Sequence, residues 1–120
     1  QVVDRNVLQE IEKRREALKT DTSRTSQNTA RLMTLLLTEP NHVYEDLRAI
    51  HCPVLVMAGE NDIIHENHTR EIATHLPNGK LYIATGEDHY FPLNNPAKFN
   101  AVVADFLITQ PYAKSSNSGL

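Results

Sequence analysis

The chain has 120 residues and a mass of 13.6 kDa, with 40% hydrophobic and 22% charged residues, which suits one globular domain with a modest core. Lys and Arg number 12 against 15 Asp and Glu, so the formal charge is −3 and the pI is near 6.1; no basic footprint exists for nucleic acid or an anionic membrane. A single cysteine, Cys52, excludes an intrachain disulfide and a cysteine-built zinc module, and fits a reducing compartment such as the cytoplasm. No apolar run is long enough to span a bilayer, and Val2 and Val3 lead into Asp4 and Arg5 rather than a signal core. Opening on Gln1 instead of Met, the sequence is expected to belong to a longer chain.

Charge divides the chain in two. Residues 1–50 carry 8 basic and 8 acidic side chains, residues 51–120 carry 4 and 7, so the whole net charge falls in the second part. Three segments are expected: a helical part over 1–50, a βαβα part over 51–110 and a polar tail over 111–120. In the first, Val3, Val7 and Ile11, with Leu8 and Leu18, recur at helical spacing and predict an amphipathic helix over 4–19. The polar stretch Thr20 to Ser26 reads as a linker or capping segment. A second helix follows through Ala30, Leu32, Met33 and Leu35 to Leu37, apolar nearly all round and therefore in need of cover, and Glu39-Pro40-Asn41 stops it. Tyr44 to Ile50 is a short helical turn.

After Pro53 the period changes. Val54 to Ala58 is a continuous apolar run closed by Gly59, the pattern of a strand buried on both faces of a parallel sheet. Glu60-Asn61-Asp62 forms the loop at its carboxyl end. Glu66 to Leu76 reads as a helix with Ile72, Ala73 and Leu76 inward, ended by Pro77-Asn78-Gly79. A second strand, Lys80 to Ala84, leads into a loop over Thr85 to Asn95. Pro96 then opens a last helix with Phe99, Val102, Val103, Phe106 and Leu107 as its apolar stripe. Strand, helix and strand with this crossover form a right-handed βαβ unit, so the fold class is α/β.

In open parallel sheets ligands lie beyond the carboxyl ends of the strands. Both loops at those ends hold titratable residues: Asp62 after the first strand, Asp88 and His89 after the second. A carboxylate that orients an imidazole, with the imidazole as general base, is two-thirds of a nucleophilic triad. Taken alone, Asp and His are also ordinary loop residues. His65, His68 and His75 share one helical segment and could mimic metal ligands, but no Cys or Glu stands at a zinc spacing and no His-Glu-x-x-His occurs. A solvated helix face is the expected reading, and neither metal nor cofactor is expected. The leucine-rich helix of residues 32–37 is expected to pack under its own cap rather than serve as a partner face.

Residues 47 to 107, from Leu47-Arg48-Ala49-Ile50-His51-Cys52-Pro53 through Val54-Leu55-Val56-Met57-Ala58-Gly59-Glu60-Asn61-Asp62 to Phe106-Leu107, closely resemble the C-terminal part of the α/β-hydrolase fold family. That family places a Pro-led hydrophobic strand before Gly-x-x-Asp, a helix ending near Leu-Pro, a short strand, a loop with the catalytic His, and a closing helix ending Phe-Leu. The resemblance implies Asp62 as triad acid and His89 as triad base. Asp88 stands where the family most often has Gly, which adds a carboxylate beside the His. Residues 1–40 resemble, more weakly, the end of the family's helical cap.

The family's nucleophile sits on a Gly-x-Ser-x-Gly turn. The glycines are Gly59, Gly79, Gly86 and Gly119, and no two are four apart; Ser23, Ser26, Ser115, Ser116 and Ser118 lie in the linker and the tail, and Cys52 lies at the wrong end of its strand. The oxyanion-hole loop is missing as well. By resemblance, then, the sequence is expected to be an esterase-like hydrolase portion with acid and base but no nucleophile, inactive on its own, whose parent acts on a small ester-like molecule. The alternative is a non-catalytic interaction or dimerisation module on the same architecture. The strand Val54 to Ala58 carries no edge-protecting charges, so a homodimer, or association with the missing N-terminal half, is expected.

Overall fold

The computed structural model describes residues 2–39 and 42–110. In chain order these form helices α1 (Arg5–Ala17) and α2 (Arg24–Thr38), a 3-10 helix (Tyr44–Ala49), strand β1 (Val54–Gly59), helix α3 (Glu66–His75), strand β2 (Gly79–Ala84), a short α4 (Phe91–Asn94) and α5 (Pro96–Thr109). Pro40 and Asn41, expected to stop α2, and the tail from Pro111 lie outside the described residues.

α1 begins where the Asp4 carboxylate accepts the Asn6 N–H at 2.8 Å, the usual way to satisfy a first-turn donor. Val3 is not part of this helix, contrary to its place in the apolar stripe. It forms an antiparallel bridge with Ile64 instead, where Asp4 donates to the Ile63 carbonyl (3.2 Å) and His65 to the Val2 carbonyl (2.8 Å). The capping alternative for the polar stretch is the one the structure takes, and α2 starts at Arg24, well before Ala30. Asp21 accepts from the Ser23 N–H (2.8 Å) and the Ser26 hydroxyl (2.7 Å), and Ser23 accepts from the Ser26 N–H (3.3 Å). α1 and α2 pack against each other through half-buried Val7, Leu8, Ile11, Ala30, Met33 and Leu37. Leu32, Leu35 and Leu36 are exposed, so among the described residues the face expected to lie under cover is open.

β1 and β2 are parallel, in a register running from Val54 opposite Gly79 to Gly59 opposite Ala84. α3 packs across both strands with Leu76 buried and Ile72 and Ala73 half-buried, as the pattern predicts, and buried Thr69 joins them. On the other face Leu55 and Tyr82 look across a cavity of about 270 Å³ to Ala101, Val102 and Phe106 of α5. The expectation of a strand buried on both faces is corrected here: Val54 to Ala58 are only half-buried, because two strands with α5 standing off one face cannot enclose them. The loop expected over 85–95 contains α4, whose Phe91 is 2% exposed and meets Phe99 edge-to-face at 5.8 Å. Leu107, placed in the α5 stripe, is exposed, whereas Phe99, Val102, Val103 and Phe106 are half-buried.

Candidate active site

Side by side in a parallel sheet, β1 and β2 deliver their following loops to the same end, a consequence of the roughly 4.8 Å spacing between strands. Asp62 and His89 meet there. His89 Nδ1 donates to Asp62 Oδ1 at 2.9 Å, with the Asp62 side chain only 10% exposed and the His89 side chain 46%. The same carboxylate oxygen accepts the Ile64 N–H at 2.9 Å, so the acid is held by its own loop before it holds the imidazole. A ring nitrogen committed to a carboxylate fixes the tautomer and leaves the opposite nitrogen basic. For His89 that nitrogen is Nε2, on a half-exposed ring that Tyr90 flanks edge-on at 5.8 Å.

The loops are locked by backbone as well as by the dyad. Beyond the last ladder pair, Glu60 N–H donates to the Ala84 carbonyl (3.0 Å) and Asn61 N–H to the Glu87 carbonyl (2.8 Å). The close approach needs glycine at 59, where a Cβ would collide with the Glu87 and Asp88 carbonyls. Behind the acid, Ile63 to His65 are strapped by Val2 to Asp4. Asp88 accepts from the Tyr90 N–H (2.8 Å) and Asn94 Nδ2 (3.1 Å), capping the turn into α4, while Glu87 accepts from Asn95 Nδ2 at 2.9 Å.

Two of the three histidines of the α3 region converge on Tyr44. His65 precedes the helix, His68 Nδ1 is hydrogen-bonded with the Tyr44 hydroxyl at 2.6 Å, and His75 stacks on the Tyr44 ring at 5.1 Å. Burial pushes the His68 imidazole below the ordinary histidine range, consistent with a neutral acceptor. No group of three or more His, Cys, Asp or Glu side chains that could hold a metal forms among the described residues. Sequence reasoning missed the Val2–Asp4 strap and the pairing of Tyr44 with His68. A lone bridge and a tyrosine 24 positions from its partner leave no periodic signal.

No family model matches the chain. RutD of Caulobacter sp. (strain K31), a carbamate hydrolase by name, is 44% identical over 64 residues, which is 52% of this chain and 24% of RutD. Among solved structures, the serine hydrolase CarC involved in carbazole degradation superposes with a TM-score of 0.62 at 16% identity, covering 77% of this chain and 36% of CarC. The esterase RhEst1 from Rhodococcus sp. ECU1013 gives 0.60 at 19% identity, covering 89% of this chain and 43% of RhEst1. For the carboxylesterase CesB from Bacillus subtilis the values are 0.58 and 16%, with 92% and 48% covered. This chain carries the C-terminal portion of the α/β-hydrolase fold. It spans about a quarter of the curated relative and between about a third and a half of these solved chains. Among the described residues no helix is long and apolar enough to cross a membrane.

Proposed function

We propose that the chain supplies the acid and the base of a Ser-His-Asp type hydrolase acting on a small acyl substrate such as an ester or carbamate. The observation that carries this reading is the 2.9 Å contact between Asp62 and His89 at the carboxyl ends of adjacent parallel strands, where an imidazole with a free Nε2 can take a proton from a nucleophile and return it to a leaving group. Asp62 keeps the ring oriented and stabilises the imidazolium. These 120 residues contain no Gly-x-Ser-x-Gly, so nucleophile and oxyanion donors come from sequence outside them, and the chain alone is inactive. Helices α1 and α2 are the end of a cap. Cys52, free and exposed, fits a reducing compartment such as the cytoplasm.

The test joins the preceding part of the reading frame to this chain, or co-expresses it, and follows short p-nitrophenyl esters and an aryl carbamate. His89→Ala is expected to lower kcat by on the order of 10⁴ or more, and Asp62→Asn by on the order of 10⁴ through the wrong tautomer. Equal turnover in wild type and His89→Ala overturns the assignment. The 120-residue chain alone should show nothing above free imidazole.

A second reading, a non-catalytic dimerisation module, is favoured by one feature: β1 pairs only with β2 among the described residues, leaving its other edge open. Two copies could pair these edges about a two-fold axis. Light scattering at high concentration should then give twice the 13.6 kDa chain mass, and a stable monomer discards this reading.

A further inference from the structure

The β1–β2 ladder ends at Gly59 opposite Ala84, three residues short of Asp62 and five short of His89. Between the ladder and the dyad, the two loops are joined by three hydrogen bonds. Two are backbone bonds, Glu60 N–H to Ala84 and Asn61 N–H to Glu87. The third is the only one of the three made by a side chain: Glu60 Oε2 accepts the Gly86 N–H at 2.8 Å. Gly86 has φ +75, a conformation open to glycine and strained for other residues, and a Cβ there would meet nothing within 4 Å. Glycine is therefore required at 86 for its backbone turn rather than for space. That turn aims the Gly86 N–H at the loop that carries the acid, and the Glu60 carboxylate meets it.

We infer that Glu60 is a positioning residue for His89: its carboxylate fixes the Gly86 turn to the acid loop and thereby sets the separation of His89 Nδ1 from Asp62 Oδ1. The inference rests on the reading of Asp62 and His89 as acid and base. Asp88 does not share this role across the loops, because its carboxylate is engaged within its own loop by Tyr90 and Asn94. Glu60 and Gly86 are both exposed, so the bond adds little to global stability, as exposed polar contacts generally do. Its effect is local, since an imidazole displaced by about 1 Å loses its carboxylate and the preference for one tautomer.

The experiment reads the His89 ring and the Gly86 amide directly by nitrogen-detected and amide-exchange NMR on the 120-residue chain, comparing wild type with Glu60→Ala and Glu60→Gln. Wild type should show the Nδ1–H tautomer at His89. In Glu60→Ala, exchange at Gly86 should rise on the order of tenfold, as expected for one lost hydrogen bond, and the Nδ1–H fraction should fall severalfold while exchange at Val56 and Ala58 stays unchanged. Glu60→Gln, which keeps an acceptor oxygen, should restore the tautomer to within about twofold of wild type. An unchanged tautomer in Glu60→Ala overturns the inference and leaves the dyad standing. Equal loosening at Val56, Ala58 and Gly86 overturns it too, since Glu60 would then support the sheet as a whole. A wild-type His89 without the Nδ1–H tautomer sinks the dyad, and the inference with it.

Discussion

The helical hairpin of α1 and α2 and the βα part that follows Pro53 are built on opposite terms. Neither α1 nor α2 contains a buried residue, and Leu36 is 66% exposed. In the βα part Ala84 is fully buried and Phe91, Leu76 and Thr69 nearly so. The difference lies in how many sides each element is met from. A two-helix hairpin covers one stripe per helix, whereas a strand pair packed under α3 on one face, with α5 across a cavity on the other and α4 packed on α5, meets its side chains from several directions. The candidate site belongs entirely to the better-packed part. Fixed geometry in a dyad requires supporting groups that are themselves fixed.

The comparison is easiest to break at Phe91. This ring is buried against Phe99 at the turn just after His89, so Phe91→Ala should cost about 4 kcal/mol, the usual toll of removing a buried aromatic ring. A urea midpoint within error of wild type would show that this region is no better packed than the hairpin. Next comes Gly59→Ala. The added methyl group faces the Glu87 and Asp88 carbonyls, backbone that cannot swing aside, and the expected loss is about 3 kcal/mol. The Nδ1–H signal of His89 should weaken with it, because relieving the clash pushes the two loops apart.

Legibility followed how local each signal is rather than that division. β1 was readable as an apolar run closed by Gly59, and α3 as a helix with three inward residues at helical spacing, because each signal is local. The meeting of Asp62 with His89 was readable because parallel pairing brings consecutive loops to one end, a rule of topology that the resemblance to the hydrolase fold reinforced. Three features were not. Phe91 and α4 hid in a stretch with no period, where four residues are too few to show one. Val3 fits the helical spacing of Val7 and Ile11 but is held by Ile64, 61 positions on, a tertiary contact that no local pattern encodes. The bond from Glu60 to Gly86 depends on a positive φ at Gly86, and glycine in a loop announces freedom without saying which way the chain turns.

A smaller effect sharpens the comparison from between the two parts. Tyr44 ties the 3-10 helix to α3 through His68, and burial lowers the His68 pKa from 6.5. A histidine whose folded pKa is depressed supports the fold in its neutral form, so its contribution is present above the unfolded value and is lost as pH falls through the folded one. Stability should decline below about pH 6.5 as the unfolded chain takes up the proton first. His68→Asn, which offers an uncharged acceptor, should flatten that decline, visible as urea midpoints that converge for the two proteins toward acid. Midpoints that run parallel at every pH would refute the assignment of this dependence to His68.

The smallest stability effect belongs to the hairpin, and it separates an open face from a docking face. Leu36 is exposed, beside Leu32 and Leu35, so Leu36→Gln removes almost no buried surface from the chain as it stands. The expected change in unfolding free energy of a monomer is within about 0.5 kcal/mol. If the same face is covered in an assembly, by a second copy or by the preceding part of a hydrolase, the substitution places an amide where apolar surface is buried. Light scattering at matched concentrations, or co-purification with the preceding part, would then register a loss that the urea midpoint of a dilute monomer does not. A loss above about 1 kcal/mol in the dilute monomer would instead mean that α2 packs inward in solution, and the contrast between the two parts would fall.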